Sequence, residues 1–208
     1  MYSVIIYYFT GTGNGKRLAD LAADAWRARG ADVIVQSIEG SLKQSEHKKA
    51  DFIGIVAPVY CFGLPQMMAR FLRTLPDGTG QHAFVLAATG NAESFTWAGR
   101  ALRVPPCEGI ALLQARYWLR RRGYLVYGAL PVEMPTNWTL AVTPPGHVRQ
   151  TVIFERAQAC IDRMVAALFD KHLVLARAPW PWVPFFALSY WLFIHVGRRL
   201  AGKCFTAN

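Results

Sequence analysis

The first thirty residues contain the feature that most restricts the fold: an apolar segment, a glycine-rich turn and an amphipathic segment follow one another directly. Residues 2–9 are almost entirely apolar and rich in β-branched and aromatic side chains, which is typical of a strand buried on both faces of a parallel sheet. Residues 10–16 contain three glycines, and apolar side chains then recur at helical spacing until Gly30. Strand, tight turn and helix in this order predict an α/β fold.

The same alternation continues along the chain. We predict further strands at 33–35, 51–57, 83–88 and 124–132, and helices at 67–75, 109–122 and 148–168. Strands separated by helices predict a doubly wound, five-stranded parallel sheet with helices on both faces. We divide the chain into this domain, residues 1–170, and an aromatic C-terminal helical extension, residues 171–208.

Ligands of a doubly wound sheet bind outside the carboxyl ends of its strands. The loops after the first, third and fourth predicted strands are residues 10–16, 58–65 and 89–95. The first of them opens a helix, whose unpaired N–H groups and dipole favour a phosphate, and two threonines add hydroxyl donors. Neither G-x-x-x-x-G-K-[ST] nor G-x-G-x-x-G is present, so we predict a phosphate site of another kind.

Residues 9–14, Phe-Thr-Gly-Thr-Gly-Asn, resemble the FMN-phosphate loop of the flavodoxin family. Segments 57–65, 88–91 and 134–138 are similar to parts of the flavodoxin module of flavodoxin–ferredoxin fusion proteins. The resemblance covers residues 1–170 and implies FMN as cofactor. One departure is Gly15, which stands where the family usually has Ser or Thr.

The resemblance implies a flavin site built from the three loops. Its candidate residues are Thr10, Gly11, Thr12, Gly13, Asn14, Gly15, Lys16, Pro58, Val59, Tyr60, Cys61, Phe62, Gly63, Thr89, Gly90, Asn91, Trp97 and Trp138. Lys16 would add positive charge near the phosphate, and a backbone group near Phe62 or Gly63 would reach flavin N5. The aromatic candidates would stack on the ring; ordinary packing explains Tyr60 and Trp138 equally well, and it is the favoured explanation for Phe62 and Trp97. Because a flavin performs the chemistry itself, we assign no catalytic side chain.

Cys61 lies in a candidate flavin loop, but no histidine or lysine is close in sequence to lower its thiol pKa, so we interpret it as a small filler. The four cysteines and five histidines lack metal-ligand spacing, and we expect no metal site. The N-terminal apolar run lacks a basic leader, so we expect a cytoplasmic protein with reduced thiols.

The chain carries 23 Lys and Arg against 13 Asp and Glu, a formal net charge of +10. This excess indicates an acidic partner, an anionic surface or an anionic ligand without choosing among them. Residues 116–122 are rich in arginine, but a helix C-terminus favours cations, so nucleic acid is not the expected partner. An acidic, ferredoxin-like redox protein would bind to the same arginine-rich residues. Flavodoxins are mostly acidic, so the basic charge is a second departure.

Residues 178–197 contain no Asp, Glu, Lys or Arg and seven aromatic side chains. Their number approaches a membrane span, but three prolines in the first third leave a helix over only 185–200. We favour packing against the domain itself or in a homodimer, and keep open membrane-surface contact through 179–199 and a true span.

These observations favour FMN-dependent electron transfer, by a flavodoxin-like carrier or a flavoreductase. Two alternatives remain open at this point. One is an NAD(P)H-dependent quinone or flavin reductase on the same fold. The other is a flavin-free scaffold or membrane-surface module, since a fold does not determine a function.

Overall fold

The computed structural model describes residues 1–40, 44–90, 96–97, 100–101, 108–136, 144–177 and 179–197, with only the backbone for 44–46, 96–97 and 100–101. Its helices and strands alternate along the chain. They are β1 (Ser3–Tyr8), α1 (Asn14–Arg27), β2 (Asp32–Ser37), α2 (Gln44–Lys49), β3 (Phe52–Pro58), α3 (Gln66–Thr74), β4 (His82–Thr89), β5 (Thr96–Trp97), β6 (Arg100–Ala101), α4 (Ala111–Arg121), β7 (Leu125–Glu133), α5 (His147–Phe169), β8 (Val174–Leu175) and α6 (Val183–Leu192). A 3₁₀ turn, Trp180–Trp182, precedes α6, and a π-helical turn, Phe193–Gly197, follows it.

Six strands form one parallel sheet in the order β2-β1-β3-β4-β7-β8. The predicted doubly wound α/β class is confirmed, but the predicted count of five strands is one too low. The additional strand is the two-residue edge strand β8, which pairs with Gly128 and Ala129 of β7. A strand of two residues shows no hydrophobic periodicity in the sequence. It forms because the backbone groups along the edge of β7 can pair with it.

Three other short elements, α2, β5 and β6, have no counterpart among the predicted ones. Helix α2 has the sequence Gln-Ser-Glu-His-Lys-Lys and therefore lacks an apolar stripe. Strands β5 and β6 form a separate two-stranded antiparallel pair of two residues each. The longer elements predicted within residues 1–170 agree with the structure to within three residues at each end. The helix predicted over 185–200 begins at Val183, and its α-helical part ends at Leu192, where the π-helical turn follows.

Each face of the sheet is covered by a pair of helices and has its own core. Helices α1 and α5 pack on one face, around the fully buried ring of Trp26, and α3 and α4 pack on the other. Trp26 contacts the rings of Phe52 and Phe84 at centroid distances of 4.8 and 6.0 Å. The strands between these layers need apolar side chains on both faces, which accounts for their continuous apolar sequences.

A buried polar chain joins distant segments in the α3–α4 layer. The Tyr124 hydroxyl donates to the Pro76 carbonyl at 2.6 Å, so it accepts from His47 Nε2, also at 2.6 Å. His47 Nδ1 then accepts from the Tyr7 hydroxyl at 3.0 Å. Burial lowers the pKa of His47, which agrees with a neutral imidazole that has one donor and one acceptor nitrogen.

The direction of winding reverses between β1 and β3, which are neighbours in the sheet. From β1 the chain moves to β2 on one side, and it then returns to β3 on the other. Ligands of such sheets bind in the crevice at this switch point, beyond the carboxyl ends of the strands. The loops that follow β1 and β3 meet there.

The C-terminal segment returns to this same edge. Ala176 extends the pairing of β8 by donating its N–H to the Ala129 carbonyl at 2.8 Å, and α6 then packs against the loop after β3. Within the described ranges, no helix has both the length and the apolar character that crossing a bilayer requires.

Candidate functional site at the β1–β3 switch point

The loop after β1 forms a compact turn that ends in the N-terminus of α1. Gly13 adopts a left-handed conformation, φ 97°, and its N–H donates to Thr10 Oγ1 at 2.9 Å. The first bond of the helix runs from the Arg17 N–H to the Gly13 carbonyl at 3.0 Å. The amides of residues 14–16 consequently have no partner inside the helix and form an anion-binding N-terminus. Thr10, which accepts through its oxygen, keeps its hydroxyl proton for a ligand.

Two glycines of this loop are required by close approach of neighbouring atoms. A Cβ at Gly15 would collide with the Phe9 carbonyl oxygen and lie 3.2 Å from the Thr10 Cβ. A Cβ at Gly11 would collide with the Tyr60 hydroxyl. The departure from the flavodoxin pattern at Gly15 therefore has a steric cause, since the helix start packs directly on the end of β1.

The cations next to the loop have other partners. Lys16 Nζ forms an exposed ion pair with Asp20 at 2.7 Å, and this hydrogen bond and charge raise the pKa of Lys16. The Arg17 guanidinium lies 3.9 Å from the centre of the Phe154 ring. Lys16 and Arg17 are therefore engaged with Asp20 and Phe154, and the polar groups at the start of α1 are mainly backbone N–H groups and hydroxyls.

A segment that was not among the predicted site residues also lines the crevice. Asn14 Nδ2 donates to the Pro135 carbonyl at 2.8 Å, which ties the phosphate loop to the chain after β7. The Met134 N–H donates to the Thr89 carbonyl at 2.9 Å, and a Cβ at Gly90 would lie 3.7 Å from Thr136 Oγ1. The resemblance of segment 134–138 to the flavodoxin module points to this part of the chain, although only Trp138 is among the predicted site residues.

The chain after β3 makes a tight two-residue turn. The Tyr60 N–H bonds to the Gly63 carbonyl at 2.9 Å, and the Gly63 N–H bonds to the Tyr60 carbonyl at 3.0 Å. Between them Cys61 and Phe62 have φ angles of 46° and 66°. Positive φ at both central positions defines a type I′ turn, which normally uses Asn and Gly. Residues with a Cβ cost about 1–2 kcal/mol each in this conformation.

Surrounding elements hold the turn in this conformation. The Phe62 carbonyl accepts the Ile110 N–H at 2.7 Å, and the Phe62 ring lies 4.7 Å from the Phe186 ring of α6. The Tyr190 ring fills the space at Gly63, and its hydroxyl donates to the carbonyl of the next residue at 2.5 Å. Tertiary packing by α6 therefore offsets the local backbone cost.

The peptide between Cys61 and Phe62 differs from the other peptides of the turn in its hydrogen bonding. The N–H and C=O of Gly63 both pair with Tyr60, and the Phe62 carbonyl pairs with Ile110. The Cys61 carbonyl and the Phe62 N–H have no hydrogen bond within the described ranges. Of the two predicted flavin-facing positions, the Phe62 amide is thus the group left to contact a ligand.

The remaining candidates of the β3 and β4 loops lie around this turn. Val59 donates its N–H to the Ala88 carbonyl at 3.0 Å and so continues the pairing of β3 with β4 beyond Pro58. Tyr60 is 37% exposed and meets the Phe9 ring edge-on at 6.5 Å. Thr89 is buried and donates its hydroxyl to the Val132 carbonyl at 3.3 Å.

Other predictions for these loops have different outcomes. Cys61 is exposed, but its Sγ lies 3.7 Å from the Ser189 carbonyl oxygen, and partial burial of the thiol raises its pKa. Thr12 is exposed at the phosphate loop. Asn91 and Trp138 lie outside the described residues, and for Trp97 only the backbone, in β5, is described. In the part of the chain that the structure describes, no three His, Cys, Asp or Glu side chains come together as a metal site.

Comparison with known proteins identifies the architecture. Flavodoxin 1 from Bacillus cereus superposes with a TM-score of 0.55 at 24% identity, covering 82% of this chain and 99% of that one. The fold is flavodoxin-like. A Fusobacterium nucleatum flavodoxin bound to flavin mononucleotide gives a TM-score of 0.54 at 15% identity, covering 83% and 99% of the two chains. An NADH:FMN oxidoreductase in apo form gives 0.53 at 18% identity, covering 83% and 95%.

At these identities the likeness concerns the fold. No protein-family model matches the sequence, and no curated protein matches it. The strand order of this chain places the ligand crevice of such folds at the β1–β3 switch point, where the loop after β1 and the 60–63 turn meet.

Proposed function

We propose that this chain binds FMN at the β1–β3 switch point and functions in flavin-based electron transfer. The observation that carries the proposal is the geometry at the start of α1. There Gly13 is left-handed, the amides of residues 14–16 have no partner within the helix, and Thr10 Oγ1 accepts the Gly13 N–H and so keeps its hydroxyl proton. The flavodoxin-like fold and the sequence of the loop support the same ligand.

The residues present fit FMN. The amides of residues 14–16 and the hydroxyls of Thr10 and Thr12 would hold the phosphate through charge-assisted hydrogen bonds. Tyr60 and the 60–63 turn would border the ring, and the free Phe62 N–H would donate to it. The bound flavin would supply the one- and two-electron redox chemistry, so the protein's contribution is binding, orientation and electrostatics.

The absorbance spectrum of the purified protein, before and after incubation with FMN, tests this proposal. We expect Thr12→Glu to weaken FMN binding about 10–100-fold, because it removes a hydrogen bond to a charged group and adds a repelling carboxylate. Thr79→Glu is the matched control. Thr79 is exposed and precedes β4, at the amino ends of the strands and so opposite the candidate site. A wild-type protein that neither contains nor takes up FMN would refute the proposal.

A second candidate is an NAD(P)H-dependent flavin or quinone reductase. The similarity to an NADH:FMN oxidoreductase favours testing it, although a likeness at this level concerns the fold. Oxidation of NADH or NADPH by the FMN-loaded protein, followed at 340 nm, would support a reductase. A protein that binds FMN but oxidises neither cofactor would be a carrier.

A further inference from the structure

The C-terminal helix has two faces, and neither is polar. Its inner face packs on the 60–63 turn through the fully buried Phe186 and through Tyr190. Its outer face, together with the preceding 3₁₀ turn, is apolar and exposed. We call this outer surface the aromatic face; its residues are Trp180, Trp182, Phe185, Leu188, Trp191 and Leu192, each 45–70% exposed. A helix on the surface of a soluble domain normally has a polar outer face.

The aromatic face continues into a groove lined by arginines. The groove has a volume of about 840 Å³ and lies between α4 and the chain at 175–180. We call it the arginine groove; its charged residues are Arg116, Arg120, Arg121 and Arg177. Trp180 belongs to both surfaces, and Tyr117 lies against Arg121, with 5.8 Å between the guanidinium and the ring centre. No carboxylate is among the described residues that line the groove.

The described residues that line the arginine groove include no negative charge to balance its guanidinium groups. The Arg116 Nε is buried and has no hydrogen-bond partner among the described residues. Burial, and then the charge of Arg120, lower the pKa of Arg116. Glu108 lines only a small adjoining cleft with Arg116 and Arg177, and burial raises the pKa of Glu108. An anion placed in the groove would supply the negative charge that the described lining residues do not provide.

We propose that the aromatic face and the arginine groove together dock this protein on the surface of a bilayer that contains anionic phospholipids. The groove would take lipid phosphate groups, and the aromatic face would insert at the level of the headgroups. Tryptophan is enriched at this level of membranes because its ring is apolar and its N–H is polar. Arginine presents planar, bidentate donors that match a phosphate.

Two properties of the surface favour a bilayer over a protein partner. Its apolar part consists mainly of large aromatic residues, without a single Asp, Glu, Lys or Arg from 179 to 197. Among the described residues its charge lies in the arginine groove beside Trp180, and in the sequence Arg177 precedes the apolar segment while Arg198 and Arg199 follow it. A helix that is apolar outside and flanked by arginines has the composition of a segment that lies in the membrane interface.

Co-sedimentation of the full-length protein with vesicles tests the docking. We expect binding to vesicles of phosphatidylcholine with about 30% phosphatidylglycerol, weaker binding to phosphatidylcholine alone, and loss of the difference at high salt. Arg120→Gln with Arg121→Gln should weaken binding to anionic vesicles about 30-fold, since each basic residue near such a surface contributes about a factor of five. The matched control is Arg156→Gln with Arg163→Gln, which removes the same charge from exposed positions of α5 across the sheet.

A second pair of variants tests the apolar component. Leu188→Gln with Trp191→Gln should reduce binding to both kinds of vesicle, whereas Val148→Gln with Val152→Gln, exposed on α5, should not. All variants should keep the melting temperature of the wild type, because every altered side chain is exposed.

Four results would overturn the proposal. The first is equal weakening by the two arginine pairs, which would mean that only net charge matters. The second is absence of vesicle binding together with a dimer that Leu188→Gln and Trp191→Gln convert to monomers, which would assign the aromatic face to a second copy. The third is absence of vesicle binding with an acidic protein captured through the groove. The fourth is absence of vesicle binding with groove-dependent thermal stabilisation by inorganic phosphate, which would assign the groove to a soluble anion.

Discussion

Replacing Gly15 by Ser would restore the residue type that the resembling flavodoxin loops carry, yet the structure predicts that it destabilises this protein. The new Cβ would collide with the Phe9 carbonyl oxygen and press on the Thr10 Cβ at 3.2 Å. Both neighbours belong to the end of β1 and its turn, so relief requires backbone movement. Forcing extra atoms into a packed site costs about 1–3 kcal/mol. The better helix propensity of Ser offsets a few tenths of a kcal/mol of this cost.

We therefore expect a net loss of about 1–2.5 kcal/mol. For a domain of this size each kcal/mol lowers the melting temperature by about 2–4 °C, so the expected decrease is about 2–10 °C. Urea denaturation followed by circular dichroism gives the free energy of unfolding directly, and thermal melts provide the second measurement. FMN affinity should also fall, because the amides of residues 14–16 would move with the helix start.

Gly146→Ser is the matched control. Gly146 lies at the start of a helix, as Gly15 does, but as the N-cap of α5 with φ −62°, and a Cβ added to it would meet no atom within 4 Å. Serine is a preferred N-cap residue there, so the control should be neutral or slightly stabilising. A Gly15→Ser protein as stable as the wild type, or one that binds FMN more tightly, would refute the steric argument.

Three further predictions concern packing and ionisation. Phe186→Ala should cost about 3–5 kcal/mol in urea unfolding because the ring is fully buried, whereas Phe185→Ala, 52% exposed, should cost less than about 1 kcal/mol; equal effects would contradict the described orientation of α6. Tyr190→Phe should cost about 1–2 kcal/mol because it leaves a turn carbonyl without its donor, and hydrogen exchange should show a looser 60–64 segment if this is correct. Since burial lowers the pKa of His47, its contribution to stability should be complete above about pH 7 and be lost as the pH falls below the unfolded-state value of about 6.5. His47→Gln should flatten that part of the stability profile, and an unchanged profile would exclude His47 as its source.

The elements that the sequence predicted well are those whose signal is local. Strands β1, β3 and β4 are buried on both faces, so uninterrupted apolar runs identify them, and the glycines of residues 11–15 indicate the tight turn before α1. Gly15 shows the limit of a motif comparison. In a motif comparison, Gly15 is a position that lacks the usual side-chain hydroxyl. In the structure Gly15 has a steric role, which follows from the position of the Phe9 carbonyl.

The elements that the sequence did not predict depend on distant partners. Cys61 and Phe62 carry no local signal for a type I′ turn, because α6, more than 120 residues later, holds them in it. Strand β8 exists only against β7. The hydrogen bonds of His47 link residues 40 and 77 positions away, and no periodicity in the sequence connects them.

Helix α6 contacts the 60–63 turn with one side and forms part of the exposed aromatic face with the other. Through Phe186 and Tyr190 it contacts the 60–63 turn beside the crevice, and its outer side chains are exposed at the surface of the domain. Any ligand of the crevice that prefers one arrangement of this turn must alter the free energy of the helix position. Thermodynamic reciprocity then requires that an occupant of the outer side change the crevice affinity by the same factor. Cofactor retention in this protein should therefore be measured both in free solution and with its outer surface engaged.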